Sequence, residues 1–167
     1  KANDAVRVNS SQLRCRVLAE GANLAVTDRG RAAYARAGGQ NYTSFIDNSG
    51  GVDASDHEVN IKILFAPLLA SGATTRERRN ELLRQSQDEV CDSVLANNRS
   101  QSRMISFDVR RSRKDVYRYA RTLSFLVAHV PFNPDTFGLP TEDELAIRAR
   151  KGGGLYKCDA SALCAYS

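Results

Sequence analysis

The chain has 167 residues, 42% of them hydrophobic, with only four prolines. That composition excludes a disordered or low-complexity tract and suffices for one ordinary domain or parts of two. Its net charge of +5 arises from 24 basic and 19 acidic residues that are interspersed, so the basic excess is only a weak pointer to polyanions.

No apolar run reaches 18 residues and no charged-then-apolar leader is present, so neither a membrane-spanning helix nor a signal peptide is expected. Cys15, Cys91, Cys158 and Cys164 form no CxxC pair, and only His57 and His129 could supplement them. No metal site is therefore expected, and reduced thiols of an intracellular protein are.

In chain order, RCRVLA at 14 to 19 is short and rich in β-formers before EGAN at 20 to 23, which fits a buried strand running into a loop. Thr27 or Asp28 can cap a helix through RGRAAYARA, and Gly38 with Gly39 supplies the left-handed residue that ends it. YTSFI at 42 to 46 has the aromatic and β-branched content of a second strand. Strand, helix, strand, helix with short connections is the order of a parallel, doubly wound sheet, whose ligands bind beyond the strands' carboxyl ends. EGAN and DNSGG, 47 to 51, both fall there.

A second helix, from Ser49 or Val52 to Leu69, carries Val59, Ile61, Ile63, Leu64, Phe65 and Leu68 around most of its circumference and is expected to be deeply buried. Its first turns crowd Asp53, Ser55, Asp56, His57 and Glu58 together. The acids suit a helix start individually, while the amino terminus after Gly50 and Gly51 could hold an anion. Ser55 shares a face with Glu58 and Lys62, and that face points its hydroxyl toward whatever the strand ends hold. His57 reads as a surface histidine beside acids, with no nucleophile to serve.

Beyond residue 72 the chain reads as all helix. Thr75 can cap RERRNELLRQSQDEVCDSVLANN, Ser112 can cap RKDVYRYARTLSFLVAHV, and NPDTFGLP is a loop. Thr141 with Glu144 forms a capping box before ELAIRAR, GGG at 152 to 154 is a flexible joint, and Asp159 can cap a last helix.

EGAN alone is a weak signal. In joint order with Gly38-Gly39 and Asn48-x-Gly50-Gly51-Val52-x-x-Ser55-x-x-Glu58, it resembles the glutamate dehydrogenase family, and DNSGGVDASDHEVNIKIL resembles the large, NAD-specific type. The likeness is tightest from 17 to 65 and extends to GLPTEDELAIRAR and LCAYS. It implies the C-terminal part of a doubly wound, Rossmann-like α/β nucleotide-binding domain over residues 1–71, followed by a helical segment over 72–167.

By the same resemblance NAD is the cofactor, met by Gly21, Ala22, Asn23 and Asn48, and L-glutamate or 2-oxoglutarate is met by Asn48, Gly50, Gly51 and Ser55. The implied reaction is reversible oxidative deamination of glutamate. The family's acid–base lysine and aspartate have no counterpart in these residues, so no catalytic acid or base is assigned and the isolated chain is expected to be inactive. A homo-oligomeric parent in the cytoplasm or mitochondrion, without membrane or nucleic-acid partners, belongs to the same expectation. The alternative is a basic helical module that engages RNA or DNA through VRRSRKDVYRYAR, with Tyr117 and Tyr119 as stacking platforms.

Overall fold

The computed structural model describes residues 4–22 and 25–166, and every regular element among them is helical. Two short 3-10 turns precede α1 (Asp28–Arg36), α2 (Ser44–Asp47), α3 (Ser49–Ala70), α4 (Arg76–Gln85) and α5 (Gln87–Ser112). Then follow α6 (Val116–His129), α7 (Pro134–Phe137), α8 (Glu142–Arg150) and α9 (Lys157–Cys164). Two compact units result: one takes the chain up to Asp47 together with Ser102 onward, the other Asn48–Gln101.

The first unit holds the core. Ile105, Val116, Leu126, Leu139, Leu145, Leu155 and Leu163 are almost fully removed from solvent, and Phe132 meets Tyr166 edge-on at 4.7 Å between ring centroids. α1 packs on α7 and α9, and α6 packs on α8.

The caps follow their chemistry. Thr27 accepts from the Gly30 amide at 3.1 Å, and α1 closes with Gly39 N–H on the Tyr34 carbonyl and Gly38, at φ +96°, on that of Ala35. This is the six-to-one, five-to-two pattern for which glycine is suited. α8 opens with the expected capping box, the Glu144 amide on Thr141 Oγ1 at 3.2 Å and the Thr141 amide on Glu144 Oε2 at 3.1 Å.

α8 ends in the same way as α1. Gly152 donates to the Ala149 carbonyl and Gly153 to that of Arg148. The triple glycine is thus a built stop and not a loose joint: Gly154 is buried, and a Cβ there would meet Ser112 Oγ at 2.4 Å.

The doubly wound α/β expectation does not hold. The one strand-like pairing among the described residues is a parallel bridge between Val17 and Gln40. It is framed by Leu18 N–H on the Gln40 carbonyl and Gln40 N–H on the Arg16 carbonyl. A lone bridge is not a sheet, since strands need several partners to be stable. Val17 is 66% exposed, the opposite of a strand covered on both faces. YTSFI makes no strand either, because the Thr43 carbonyl takes the amides of Ile46 and Asp47 and turns Ser44–Asp47 into α2.

Other boundaries moved too. Ser86 ends α4, so the expected single helix after Thr75 is two. Asp115, not Ser112, caps α6, accepting from the Arg118 amide at 3.1 Å. NPDTFGLP contains a helical turn, α7, started by Asn133 and stopped by Gly138 at φ +62°.

The second unit differs in kind. α3 was expected to be buried, yet none of its residues is, and Val59, Ile63 and Leu64 are each more than half exposed.

Candidate functional site

The first unit presents one part of the predicted site in the loop that follows Glu20. Gly21 and Ala22 are exposed, and a Cβ on Gly21 would meet no described residue within 4 Å, so the described surroundings leave the backbone open to close approach. Asn23 lies outside the described residues.

What fixes the loop's described ends is the Glu20 carboxylate. It accepts from the Ala25 amide at 2.7 Å and the Val26 amide at 3.2 Å, joining residue 20 to residues five and six positions on. Arg31 of α1 holds that carboxylate through Nη2 on Oε2 at 2.5 Å. Its Nη1 donates to the Tyr42 carbonyl at 2.7 Å and to Asp47 Oδ2 at 3.0 Å, and the same Asp47 oxygen accepts the Glu20 amide at 3.1 Å. Arg31 is 1% exposed.

Burial drives the Glu20 carboxyl up, but the Ala25 amide and the Arg31 guanidinium outweigh it together with Val26, and the group stays below the usual range. Sequence reasoning missed Arg31 and Asp47. The available signal was an arginine on the same helix face as Ala32, Tyr34 and Ala35, where a cation needs a partner.

The second unit presents the other part at the opening of α3. Asn48 precedes the helix and Val52 N–H returns to its carbonyl at 3.1 Å. Gly51 lies so close beneath the Asn48 carboxamide that a Cβ would fall 2.5 Å from Oδ1. At Gly50 a Cβ would make only ordinary contact, 3.6 Å from Val94.

Ser55 is exposed and its hydroxyl donates to the Val52 carbonyl at 2.7 Å, a local bond that a ligand can replace by rotation. Asn97 and Asn98 of α5 brace the opening, donating to Asp53 Oδ2 and Ser49 Oγ, each at 2.8 Å. His57 turns Nδ1 onto the Asp53 carbonyl at 2.9 Å, which makes it part of the helix surface. The structure thus brings Asn48, Gly50, Gly51 and Ser55 together on one helix start, and places Gly21 and Ala22 on a separate loop of the other unit.

Among the described residues no cluster of three or more His, Cys, Asp or Glu could hold a metal, and no helix is long and apolar enough to cross a membrane. Burial, reinforced by Asp159, pushes the Cys158 thiol up to about 12, and burial with the Asp108 hydrogen bond pushes Cys164 to about 11, so neither is a thiolate near neutrality. Tyr119 donates to Asp108 at 3.0 Å and is half-buried, whereas Tyr117 is exposed.

Over residues 1–108 the chain matches the family described as "Bacterial NAD-glutamate dehydrogenase, catalytic domain". It is also similar to curated proteins named NAD-specific glutamate dehydrogenase. It is 42% identical over 167 residues to that of Pseudomonas aeruginosa, 40% over 167 to that of Halomonas elongata and 40% over 166 to that of Mycobacterium tuberculosis. These alignments cover 100%, 100% and 99% of the chain, which spans 10% of the length of each relative.

Proposed function

Because the chain belongs to the bacterial NAD-glutamate dehydrogenase family, we propose that it is part of the catalytic region of an NAD-dependent oxidoreductase that interconverts L-glutamate with 2-oxoglutarate and ammonia. Similarity along essentially the whole chain to three relatives that bear that name carries this reading.

The local geometry supports it on two counts. Gly21 and Ala22 offer open backbone to a flat ligand and are assigned to NAD. NAD, when bound, accepts the hydride that leaves the substrate α-carbon. At the start of α3, free N–H groups and the helix dipole favour an anion. Asn48 and Ser55 add an amide donor and a hydroxyl donor beside Gly50 and Gly51, a donor set suited to a substrate carboxylate. The chain's residues therefore bind and orient, and contribute to rate through positioning.

Acid–base catalysis is assigned to the remainder of the full-length protein, as is assembly into a homo-oligomer. The 167 residues alone are expected to form no NADH from glutamate.

The test is steady-state kinetics of the full-length protein carrying Ser55→Ala or Asn48→Ala. A hydrogen bond to a charged ligand contributes about 1.5–3 kcal/mol, so the glutamate KM of Ser55→Ala should rise roughly ten- to hundredfold. Its NAD KM should stay within about threefold by the same reasoning. An unchanged glutamate KM in both variants would remove the substrate assignment.

A further inference from the structure

We propose that Arg31, with Glu20 and Asp47, forms a positioning network that sets the shape of the Gly21–Ala22 turn for cofactor binding. This rests on the reading of that turn as an NAD contact.

Three observations carry the inference. First, the bonds form a closed circuit: Arg31 Nη2 to Glu20 Oε2, Arg31 Nη1 to Asp47 Oδ2, and the Glu20 amide back to the same Asp47 oxygen. Glu20 is therefore held at both its backbone and its side chain. Second, the Glu20 carboxylate spends its remaining capacity on the Ala25 and Val26 amides, at 2.7 and 3.2 Å, across the segment that contains Gly21 and Ala22. No described side chain stands within 4 Å of where a Gly21 Cβ would lie.

Third, the network is an expensive way to fill the space. The side chains of Arg31, Glu20 and Asp47 are 1%, 5% and 5% exposed, and Arg31 Nε, also buried, finds no partner among the described residues. Apolar side chains of similar volume often stabilise a buried position as well as an ion pair does. Fixed direction is what they cannot supply. A planar guanidinium with Nη1 and Nη2 on different carboxylates locks both in angle as well as distance, which a lysine, a point charge on a flexible stem, does not.

The experiment uses the full-length protein with three variants. Glu20→Gln keeps the volume and removes the charge that draws the Ala25 and Val26 amides. Asp47→Asn keeps an acceptor and weakens the other side of the circuit, and it serves if Glu20→Gln does not fold. Ala22→Leu leaves the network intact and projects bulk from the exposed turn, so it tests the reading of the turn itself.

In Glu20→Gln, exchange of the Ala25 and Val26 amides should speed up at least tenfold and the NAD KM rise at least fivefold, with the glutamate KM within twofold, as expected when one hydrogen bond to a charged group is lost. Asp47→Asn should show the same split, and Ala22→Leu a raised NAD KM with unchanged amide exchange. A merely structural network would lower the active fraction, and so kcat, with both KM values unchanged. That outcome overturns the proposal while a raised NAD KM in Ala22→Leu leaves the cofactor reading standing. An unchanged NAD KM in Ala22→Leu overturns both.

Discussion

Arg148 and Asp159 join α8 to α9 through a pair whose removal has a calculable cost. Arg148 Nη1 donates to Asp159 Oδ2 at 2.6 Å, the same oxygen accepts the Tyr156 amide at 2.9 Å, and the guanidinium carbon lies 4.1 Å from the Tyr156 ring centroid. The two side chains are 11% and 2% exposed. In Arg148→Met the Asp159 carboxylate keeps one backbone donor and loses its counter-charge in a place water does not reach. Breaking a buried pair by removing one partner costs about 3–5 kcal/mol. At about 1.4 kcal/mol per decade, amide exchange in α9 of the full-length protein should accelerate by roughly two to nearly four powers of ten.

The deficit should also depend on pH. Burial already holds the Asp159 carboxyl above its usual range against the pull of Arg148, and loss of Arg148 raises it further, so the deficit relative to the unaltered protein is absent below the unaltered folded pKa, grows as pH rises from that value to the variant's, and is constant above it. Arg148→Met combined with Asp159→Leu should recover most of the loss, because no unpaired charge remains. Exchange in α9 within about threefold of the unaltered protein for Arg148→Met, equivalent to less than about 1 kcal/mol, would refute the reasoning.

Two further outcomes follow from the first unit. Gly39→Ala places a Cβ 2.2 Å from the Tyr34 ring, which is itself 3% exposed and donates through its hydroxyl to the Cys15 carbonyl at 2.8 Å. The ring has little room to yield, so overpacking should destabilise α1 by about 1–3 kcal/mol, read as faster exchange of its amides. For Glu20, whose folded pKa is depressed below 4.5, the stability it contributes is present above the unfolded value and lost as pH falls through the lower folded value. Protection of the Ala25 and Val26 amides, corrected for intrinsic exchange, should therefore be level from neutrality down to about pH 5 and fall below the unfolded pKa, whereas Glu20→Gln should show no such inflection.

The legible parts of the fold were those fixed within one helical turn. Thr27, Thr75 and the Thr141–Glu144 box each cap from side chain to amide over three residues, and Gly38 stops α1 by its own backbone freedom. The strands were misread because pairing is not a property of the strand. RCRVLA has β-forming side chains, yet its ladder stops at one bridge to Gln40, and Val17 faces solvent. YTSFI shows the same competition, its aromatic and β-branched content losing to a helical turn started from the Thr43 carbonyl.

The site divides along the same line. Glu20, Arg31 and Asp47 are 11 and 16 residues apart, spacings that no local pattern marks, so only their meeting in space reveals them. Asn48 and Gly51 are three apart, adjacent on one helix face, and here the sequence carried the steric relation without its reason. The reason is the 2.5 Å between Asn48 Oδ1 and the place a Gly51 Cβ would take. Because that oxygen is the free end of a rotatable side chain, a methyl at position 51 would leave the helix standing and turn the carboxamide away. Asn48 thus keeps its present orientation only while position 51 is glycine, and the N-x-G-G spacing serves the aim of the amide more than the freedom of the backbone.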